Sequence, residues 1–137
     1  MRARIGFGRL LAVVGFVFVA SFAGAVRADQ GVKVAKDQKA GSFLTDEKGM
    51  TLYVFKKDTP GKSACAGPCV EAWPLFYSEK VSVSGGLKAE DFGTITREDG
   101  KKQTTYKGMP LYYFVKDAKP GDATGHGVKD VWFLATP

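Results

Sequence analysis

The side chains with the most reactive chemistry in this chain are two cysteines and one histidine. Cys65 and Cys69 are the only cysteines, and His126 is the only histidine. Thiolate and imidazole groups are ligands that copper favours, and two thiols this close in sequence can also form or exchange a disulfide. The three residues therefore leave open a structural disulfide, a redox-active thiol pair and a copper site.

The histidine lies in the glycine-rich stretch Gly125-His126-Gly127, about 60 residues from the cysteines. A lone histidine in such a loop is usually an exposed polar side chain. A metal site would need Cys65, Cys69 or further ligands beside it, and no sequence spacing makes these groups converge.

Motifs of the known catalytic classes are missing from the sequence. It has no Gly-x-Ser-x-Gly elbow, no phosphate-binding glycine loop, no His-Glu-x-x-His motif and no cysteine with a neighbouring base. Acid–base chemistry would depend on carboxylates, and these form no evident pair. We therefore expect a protein that is not an enzyme and has no cofactor, with copper as the one metal to consider.

An internal duplication runs through the chain at a constant offset of 59 residues. The first copy comprises Gly49, Met50, Leu52, Tyr53, Phe55, Lys57 and Asp58, and the second comprises Gly108, Met109, Leu111, Tyr112, Phe114, Lys116 and Asp117. The same offset relates Trp73 to Trp132. Repetition of this kind predicts one structural unit that occurs twice.

Each copy places its tyrosine and phenylalanine two residues apart, so the two rings share one face of a predicted strand. We expect these rings to form a common core where the halves meet, with a ligand-stacking face as the alternative. The two tryptophans are expected to be core or rim anchors, with a binding cage as the alternative.

The motif aspartates, Asp58 and Asp117, each leave a strand just before a Pro-Gly turn. A carboxylate at this point can accept backbone N–H groups of the turn. We expect that local role, and the alternatives are cation binding and contact with a partner.

The offset pairs Cys65 with Thr124 and Cys69 with Val128, so the repeated unit does not itself require cysteines. The pair would then be a staple of the first half.

Strand signals separated by turn residues fill the chain after residue 28. Predicted strands cover 32–35, 41–45, 50–55, 81–84, 92–97, 103–106, 109–114 and 131–135, and tight turns lie at 47–49, 99–100 and 107–108. Only 87–92 suggests a helical turn, and 60–74 has no regular pattern. These signals predict an all-β fold.

The predicted domain covers 41–137 and contains two repeats, at about 41–80 and 92–135. A segment at 29–40 precedes it and includes a possible first strand. Halves this small cannot each bury a core, so we expect them to share one as a compact small sandwich or barrel with approximate twofold symmetry.

Residues 1–28 have the layout of a secretory signal peptide: arginines, an apolar run over 10–26, then small residues. Cleavage after Ala25 or Ala28 fits, and an uncleaved membrane anchor is the alternative. We expect a periplasmic or secreted protein without stable membrane insertion after cleavage. In that compartment a disulfide between Cys65 and Cys69 is the default.

The basic charge of the chain belongs largely to this leader. Residues 1–28 carry four of the 20 basic residues and none of the 14 acidic ones, so their removal lowers the formal charge from +6 to +2. The remaining lysines are spread among acids, and we expect no nucleic-acid partner.

The repeated Leu-Tyr-x-Phe-x-x-Asp motif, with Cys65-Ala-Gly-Pro-Cys69 and Trp73-Pro74 after its first copy, resembles a family of bacterial secreted repeats of unknown function. That family is described as predicted lipoproteins with a Tyr-x-aromatic-x-x-Asp motif. The resemblance covers about 41–133. No cysteine follows the apolar run of the leader, so this chain lacks the site of a lipid anchor.

The sequence thus predicts an exported, non-enzymatic binding or interaction module of the cell envelope. Its partner would be an unknown envelope protein or a small ligand. One alternative is a periplasmic redox or copper-handling protein that uses Cys65, Cys69 and His126. Another is a structural or stress-related envelope protein.

Overall fold

The computed structural model describes residues 29–137 and the isolated Gly15. The predicted signal peptide at 1–28 therefore lies outside the described residues. The strands are β1 (Asp29–Asp37), β2 (Gly41–Asp46), β3 (Tyr53–Phe55), β4 (Lys80–Val83), β5 (Phe92–Thr96), β6 (Lys102–Tyr106), β7 (Met109–Pro110) and β8 (Trp132–Leu134). A short helix, α1 (Pro68–Ala72), and two 3₁₀ turns, Ala89–Asp91 and Val128–Asp130, complete the elements.

The strands form three small sheets, with the orders β2-β1-β4, β3-β8 and β5-β6-β7. All pairs are antiparallel except β1 with β4. The predicted all-β class is confirmed. Of the two expected architectures, sandwich or barrel, a closed barrel is not formed among residues 29–137, because each sheet has only two or three strands. Single backbone hydrogen bonds outside the ladders link the sheets, such as the one from the Leu44 N–H in β2 to the carbonyl of Ala135, just after β8.

Two element predictions were wrong in part. The stretch at 60–74 contains α1, which begins at Pro68 directly after Gly67. Proline fits the first turn of a helix, but five residues are too few to show a helical period. The strand predicted at 109–114 pairs with β6 only as far as Pro110. Beyond that point Tyr112 pairs instead with Tyr53 and Leu75, which lie in other parts of the fold.

The turn between β6 and β7 shows how the sequence sets the chain path. Lys107 and Gly108 both have positive φ, at 48° and 85°. Two consecutive positive φ values define the turn type whose twist suits a tight hairpin. Glycine supplies the second value without steric cost.

The duplication appears as an approximate twofold arrangement of backbone bonds. At its centre, the Tyr53 N–H donates to the Tyr112 carbonyl at 2.8 Å, and the Tyr112 N–H donates back at 3.0 Å. The β3–β8 pairing of Tyr53 with Leu134 has its counterpart in the bridge of Tyr112 to Leu75. The predicted fold of two duplicated halves is therefore confirmed.

The sequence separation between structurally equivalent residues of the two halves is not always 59. Ala64 and Thr124 play the same role, since the N–H of each donates to the motif aspartate of its own half. Their separation is 60, because the turn Asp117-Ala118-Lys119-Pro120 has one more residue than Asp58-Thr59-Pro60. The counterpart of Cys65 is thus Gly125, not Thr124.

Candidate functional site

Four aromatic rings from the two halves form one continuous stack at the centre of the molecule. Trp73 and Trp132 lie face to face with ring centroids 3.8 Å apart and planes 5° apart. Phe55 stacks on Trp132 at 4.2 Å, and Phe114 stacks on Trp73 at 4.1 Å. All four side chains are buried. We call this set the aromatic stack.

Two tyrosines close the sides of the aromatic stack. Tyr53 meets Trp73 edge to face at 5.4 Å, and Tyr112 meets Trp132 in the same way at 5.1 Å. Both tyrosines are fully buried. Stacked and edge-to-face pairs are the arrangements that aromatic quadrupoles favour, so the core is fixed in geometry as well as in volume.

The tyrosine hydroxyls bond across the two halves. The Tyr53 hydroxyl donates to Asp117 Oδ2 at 2.6 Å, and the Tyr112 hydroxyl donates to Asp58 Oδ2 at 2.6 Å. Each motif therefore supplies the tyrosine for the other motif's aspartate. This exchange cannot be predicted from the sequence, because the spacing within one copy does not tell which aspartate a tyrosine reaches.

The other carboxylate oxygens bond locally. Asp58 Oδ1 accepts the Ala64 N–H at 2.6 Å, and Asp117 Oδ1 accepts the N–H and the hydroxyl of Thr124 at 3.0 and 2.6 Å. Each aspartate thus joins its own turn to the opposite half. The predicted local role as a hydrogen-bond acceptor holds for one oxygen of each carboxylate. The other oxygen accepts the tyrosine hydroxyl of the opposite half.

Burial governs the ionisation of these groups. It raises the pKa of Tyr53 and Tyr112 well above the usual value near 10, and the aspartate that each faces raises it further. Burial also raises the pKa of Asp58, against the opposing effect of the Ala64 N–H, the Tyr112 hydroxyl and Arg97. The neutral phenol is therefore the form that the fold stabilises.

An open groove of about 400 Å³ runs along one edge of the aromatic stack. Both halves line it, and we call it the indole groove. Its apolar wall consists of Phe55, Pro68, Cys69, Ala72, Trp73, Val128, Val131 and Trp132, and its charged residues are Lys57 and Lys129. No carboxylate lines it. It thus combines an apolar wall with charge of a single sign.

The rim of the indole groove has an unusual backbone. Lys129 and Asp130 are consecutive non-glycine residues with positive φ, at 52° and 57°. Each such residue costs on the order of 1 kcal/mol. The segment is held by a bond from the Gly127 N–H to the Trp132 carbonyl at 2.7 Å, which places Lys129 at the groove.

A family model described as a secreted repeat of unknown function matches the chain twice, at residues 34–76 and 93–136. The two matches together cover more than half of the chain. The chain belongs to this family of secreted repeats. No curated protein and no solved structure matches it. Among the described residues, no helix is both long enough and apolar enough to cross a membrane.

The first secreted repeat carries the disulfide. Cys65 and Cys69 are bonded to each other, with their Cα atoms 5.4 Å apart, so the predicted disulfide is confirmed. Cys65 is buried in the core, whereas Cys69 is half-buried and faces the indole groove. Both sulfurs are therefore committed to each other and are not available as thiolate ligands in this state.

In the second secreted repeat, Gly125 takes the place of Cys65. A Cβ atom here would lie 2.8 Å from Trp73, 2.9 Å from Tyr53 and 3.0 Å from Phe114. Such distances are well inside van der Waals contact, so the packing of the aromatic stack requires glycine at this position.

His126 is exposed, and its Nδ1 accepts the Leu134 N–H at 3.1 Å. Its ring meets Phe133 edge to face at 5.8 Å. Within residues 29–137, no group of three or more histidine, cysteine, aspartate or glutamate side chains is placed to hold a metal ion. The structure does not assemble the three copper candidates into such a group.

Arg97 is a buried charged residue that no motif in the sequence indicates. Its guanidinium pairs with Asp99 at 3.1 Å and donates to Gln103 Oε1 at 3.0 Å, Ser63 Oγ at 2.5 Å and the Cys65 carbonyl. Ser63 Oγ in turn lies 2.5 Å from the Tyr112 hydroxyl. The guanidinium thus anchors the disulfide loop to β5 and neutralises charge near Asp58.

Proposed function

We propose that this secreted repeat protein is a non-enzymatic binding module of the cell envelope, located in the periplasm, and that the indole groove is its ligand site. The single observation that carries the proposal is the groove itself. It lies where the two repeats meet, and a volume of about 400 Å³ with an apolar wall is typical of sites for small molecules.

The polar groups outside the groove support a binding role over a catalytic one. The motif carboxylates and tyrosine hydroxyls bond to one another and to backbone N–H groups. Groups held in this way stabilise the fold. A catalytic acid or base must instead be free to reach a proton of the substrate. The periplasm suits both the signal-peptide layout and the disulfide.

A groove-blocking variant tests the proposal. Val128 lines the groove, and Val128→Phe should fill part of it. The same change at Val115, which is 59% exposed and lies outside the groove, is the matched control. We expect the neutral probe 2-naphthol to shift the indole N–H resonances of Trp73 and Trp132 in the natural protein and in Val115→Phe, and to bind at least tenfold more weakly to Val128→Phe.

Absence of any shift, or equal affinity in all three proteins, would contradict the proposed function. Near-ultraviolet circular dichroism of each variant checks that the aromatic stack is intact.

A thiol–disulfide role is the second candidate, and one observation favours it: half-buried Cys69 faces the groove, where a reductant could approach the sulfur. The reduction potential decides between the two roles. Structural disulfides in secreted proteins have potentials below about −300 mV, and exchange-active ones lie higher. Equilibration with glutathione buffers, followed by alkylation and mass measurement, gives the value.

A copper-handling role would need reduced thiols first, so copper titration of the reduced and oxidised forms belongs in the same experiment.

A further inference from the structure

We infer that the ligand of the indole groove is a small organic anion, with an apolar or aromatic body and a carboxylate or similar acidic group. This inference rests on the proposed function and adds the chemical class of the ligand. It depends on three features of the described residues: the sign of the charge in the groove, the residue types that line it, and the scarcity of exposed apolar side chains on the rest of the surface.

The charge of the groove has one sign. Lys57 lies at the strand exit of the first repeat and Lys129 in the 3₁₀ turn of the second, so each half contributes one lysine to the lining of the groove. Other concavities carry both signs, for example Glu71 and Asp99 with Lys101 in one of them. Two cations without a carboxylate attract an anion and repel a cation.

The wall of the groove suits a planar or aliphatic body. The aromatic residues Phe55, Trp73 and Trp132 line it together with the small aliphatic residues Ala72, Val128 and Val131. Indole edges and small aliphatic side chains favour apolar ligands, which gain affinity from burial of their own surface. An inorganic anion would leave this wall unused.

The remaining surface argues for a small ligand rather than a protein. A stable protein interface needs roughly 800 Å² on each partner and a buried apolar centre. Among residues 29–137, Val115 is the only large hydrophobic side chain that is exposed, and it lies outside the groove. The groove thus has the chemistry of a ligand site without a wide apolar surface around it.

The test compares three probes that share one ring system: 2-naphthoate, neutral 2-naphthamide and cationic 2-naphthylmethylammonium. Isothermal titration of the oxidised protein gives the affinities, and Trp73 and Trp132 resonances report the location. We expect naphthoate to bind about tenfold more tightly than naphthamide, and the cation to bind most weakly, because two exposed ion pairs are each worth a few-fold in affinity.

A charge-matched pair of double variants isolates the groove lysines. Lys57→Gln with Lys129→Gln should lower the affinity for naphthoate to about that for naphthamide. Lys33→Gln with Lys36→Gln removes the same charge from exposed positions of β1 and should change neither affinity. The advantage of naphthoate should also shrink as salt rises from 20 to 500 mM, since salt screens exposed charges.

Each outcome separates this inference from the proposed function. If naphthamide binds in the groove as tightly as naphthoate, the anion inference is wrong and the binding function stands. If the β1 control weakens naphthoate as much as the groove variant does, the preference comes from net charge and the inference is also wrong. If no probe moves the tryptophan resonances, both proposals are overturned.

Discussion

Tyr53 and Tyr112 are the residues that tie the two repeats together chemically. Each buries an aromatic ring against the stack and uses its hydroxyl to reach the aspartate of the other repeat. A phenol suits both tasks, since one end is apolar and the other is a hydrogen-bond donor. A phenylalanine would keep the packing and lose the bond, so the motif's tyrosine and aspartate depend on each other at a distance of 54 or 64 residues.

The first residue-scale prediction concerns the bond between Tyr53 and Asp117. We expect Tyr53→Phe to lower the free energy of unfolding by about 2 kcal/mol, the usual contribution of a hydrogen bond to a charged group. Asp117→Ala should cost more, about 3 kcal/mol, because it leaves the Tyr53 and Thr124 hydroxyls without their acceptor. This is larger than the loss of about 1 kcal/mol that a turn-capping role alone would give.

Urea denaturation measures these values, with Tyr77→Phe as the control. Tyr77 is half-buried, and its hydroxyl makes no hydrogen bond within residues 29–137. The double variant, Tyr53→Phe with Asp117→Ala, should lose less free energy of unfolding than the sum of the losses in the two single variants. Strict additivity would show that the two groups do not interact in solution.

The second residue-scale prediction concerns alkaline pH. Burial raises the pKa of Tyr53 and Tyr112 above their unfolded value near 10. Groups with a raised pKa in the folded state contribute stability that is fully present below the unfolded pKa and is lost as pH rises beyond it. We therefore expect the free energy of unfolding to fall steadily above pH 10.

Absorbance at 295 nm follows tyrosine ionisation directly. The buried tyrosines should ionise together with the loss of the near-ultraviolet signal of the aromatic stack, and Tyr112→Phe should make the decline of stability with pH less steep. Ionisation of all five tyrosines near pH 10 in a folded protein would contradict the buried environment.

At the scale of elements, the packing around Gly125 shows where the two repeats had to differ. The first repeat accommodates the side chain of Cys65 at this position, whereas the second has no room for one at Gly125, because three aromatic rings occupy the space that a Cβ atom would need. The aromatic stack is therefore approximately but not strictly symmetric. The disulfide and α1 belong to the roomier side.

This asymmetry gives a prediction for Gly125→Ala. The added methyl group would lie 2.8 to 3.0 Å from Trp73, Tyr53 and Phe114, so the stack must shift to accept it. We expect a loss of about 3 kcal/mol, at the upper end of what overpacking costs. Gly93→Ala is the control, because its nearest neighbour is a single hydroxyl oxygen of Thr105 at 3.1 Å. Thermal unfolding measures both, and equal midpoints would contradict the close packing described for Gly125.

The sequence alone predicts much of the element pattern and less of the site. Alternating residues and turn glycines indicate β2, β5, β6 and the hairpin turns, since these depend on neighbours in sequence. Helix α1 is too short to show a period. The crossed tyrosine bonds, the Arg97 cluster and the groove depend on contacts between segments far apart in sequence, which one unaligned chain does not encode locally.

The whole molecule is held by contacts that run from each half to the other. The Gly61 N–H of the first half donates to the Gly108 carbonyl at 2.8 Å, and the Gly121 N–H of the second donates to the Gly49 carbonyl at 3.1 Å. Gly108 lies against Pro60, and Gly49 lies against Pro120. Together with the aromatic stack and the crossed tyrosines, these contacts make each half the partner that completes the other.

The last prediction follows from this interlocking and concerns two fragments, residues 29–86 and 87–137, which divide the chain after the turn at Gly85-Gly86. Alone, each fragment exposes one tryptophan face and leaves a tyrosine hydroxyl without its aspartate. Chains of 50 to 60 residues have little core to compensate for such losses. We expect each fragment to be unfolded by itself, and an equimolar mixture to regain the near-ultraviolet circular dichroism of the stacked tryptophans.

Tyr53→Phe in the fragment 29–86 should weaken the association of the two fragments by about thirtyfold, which corresponds to the 2 kcal/mol expected for the hydrogen bond to Asp117. If either fragment alone gives a cooperative unfolding transition, the halves are independent domains and the crossed bonds are not what makes the fold.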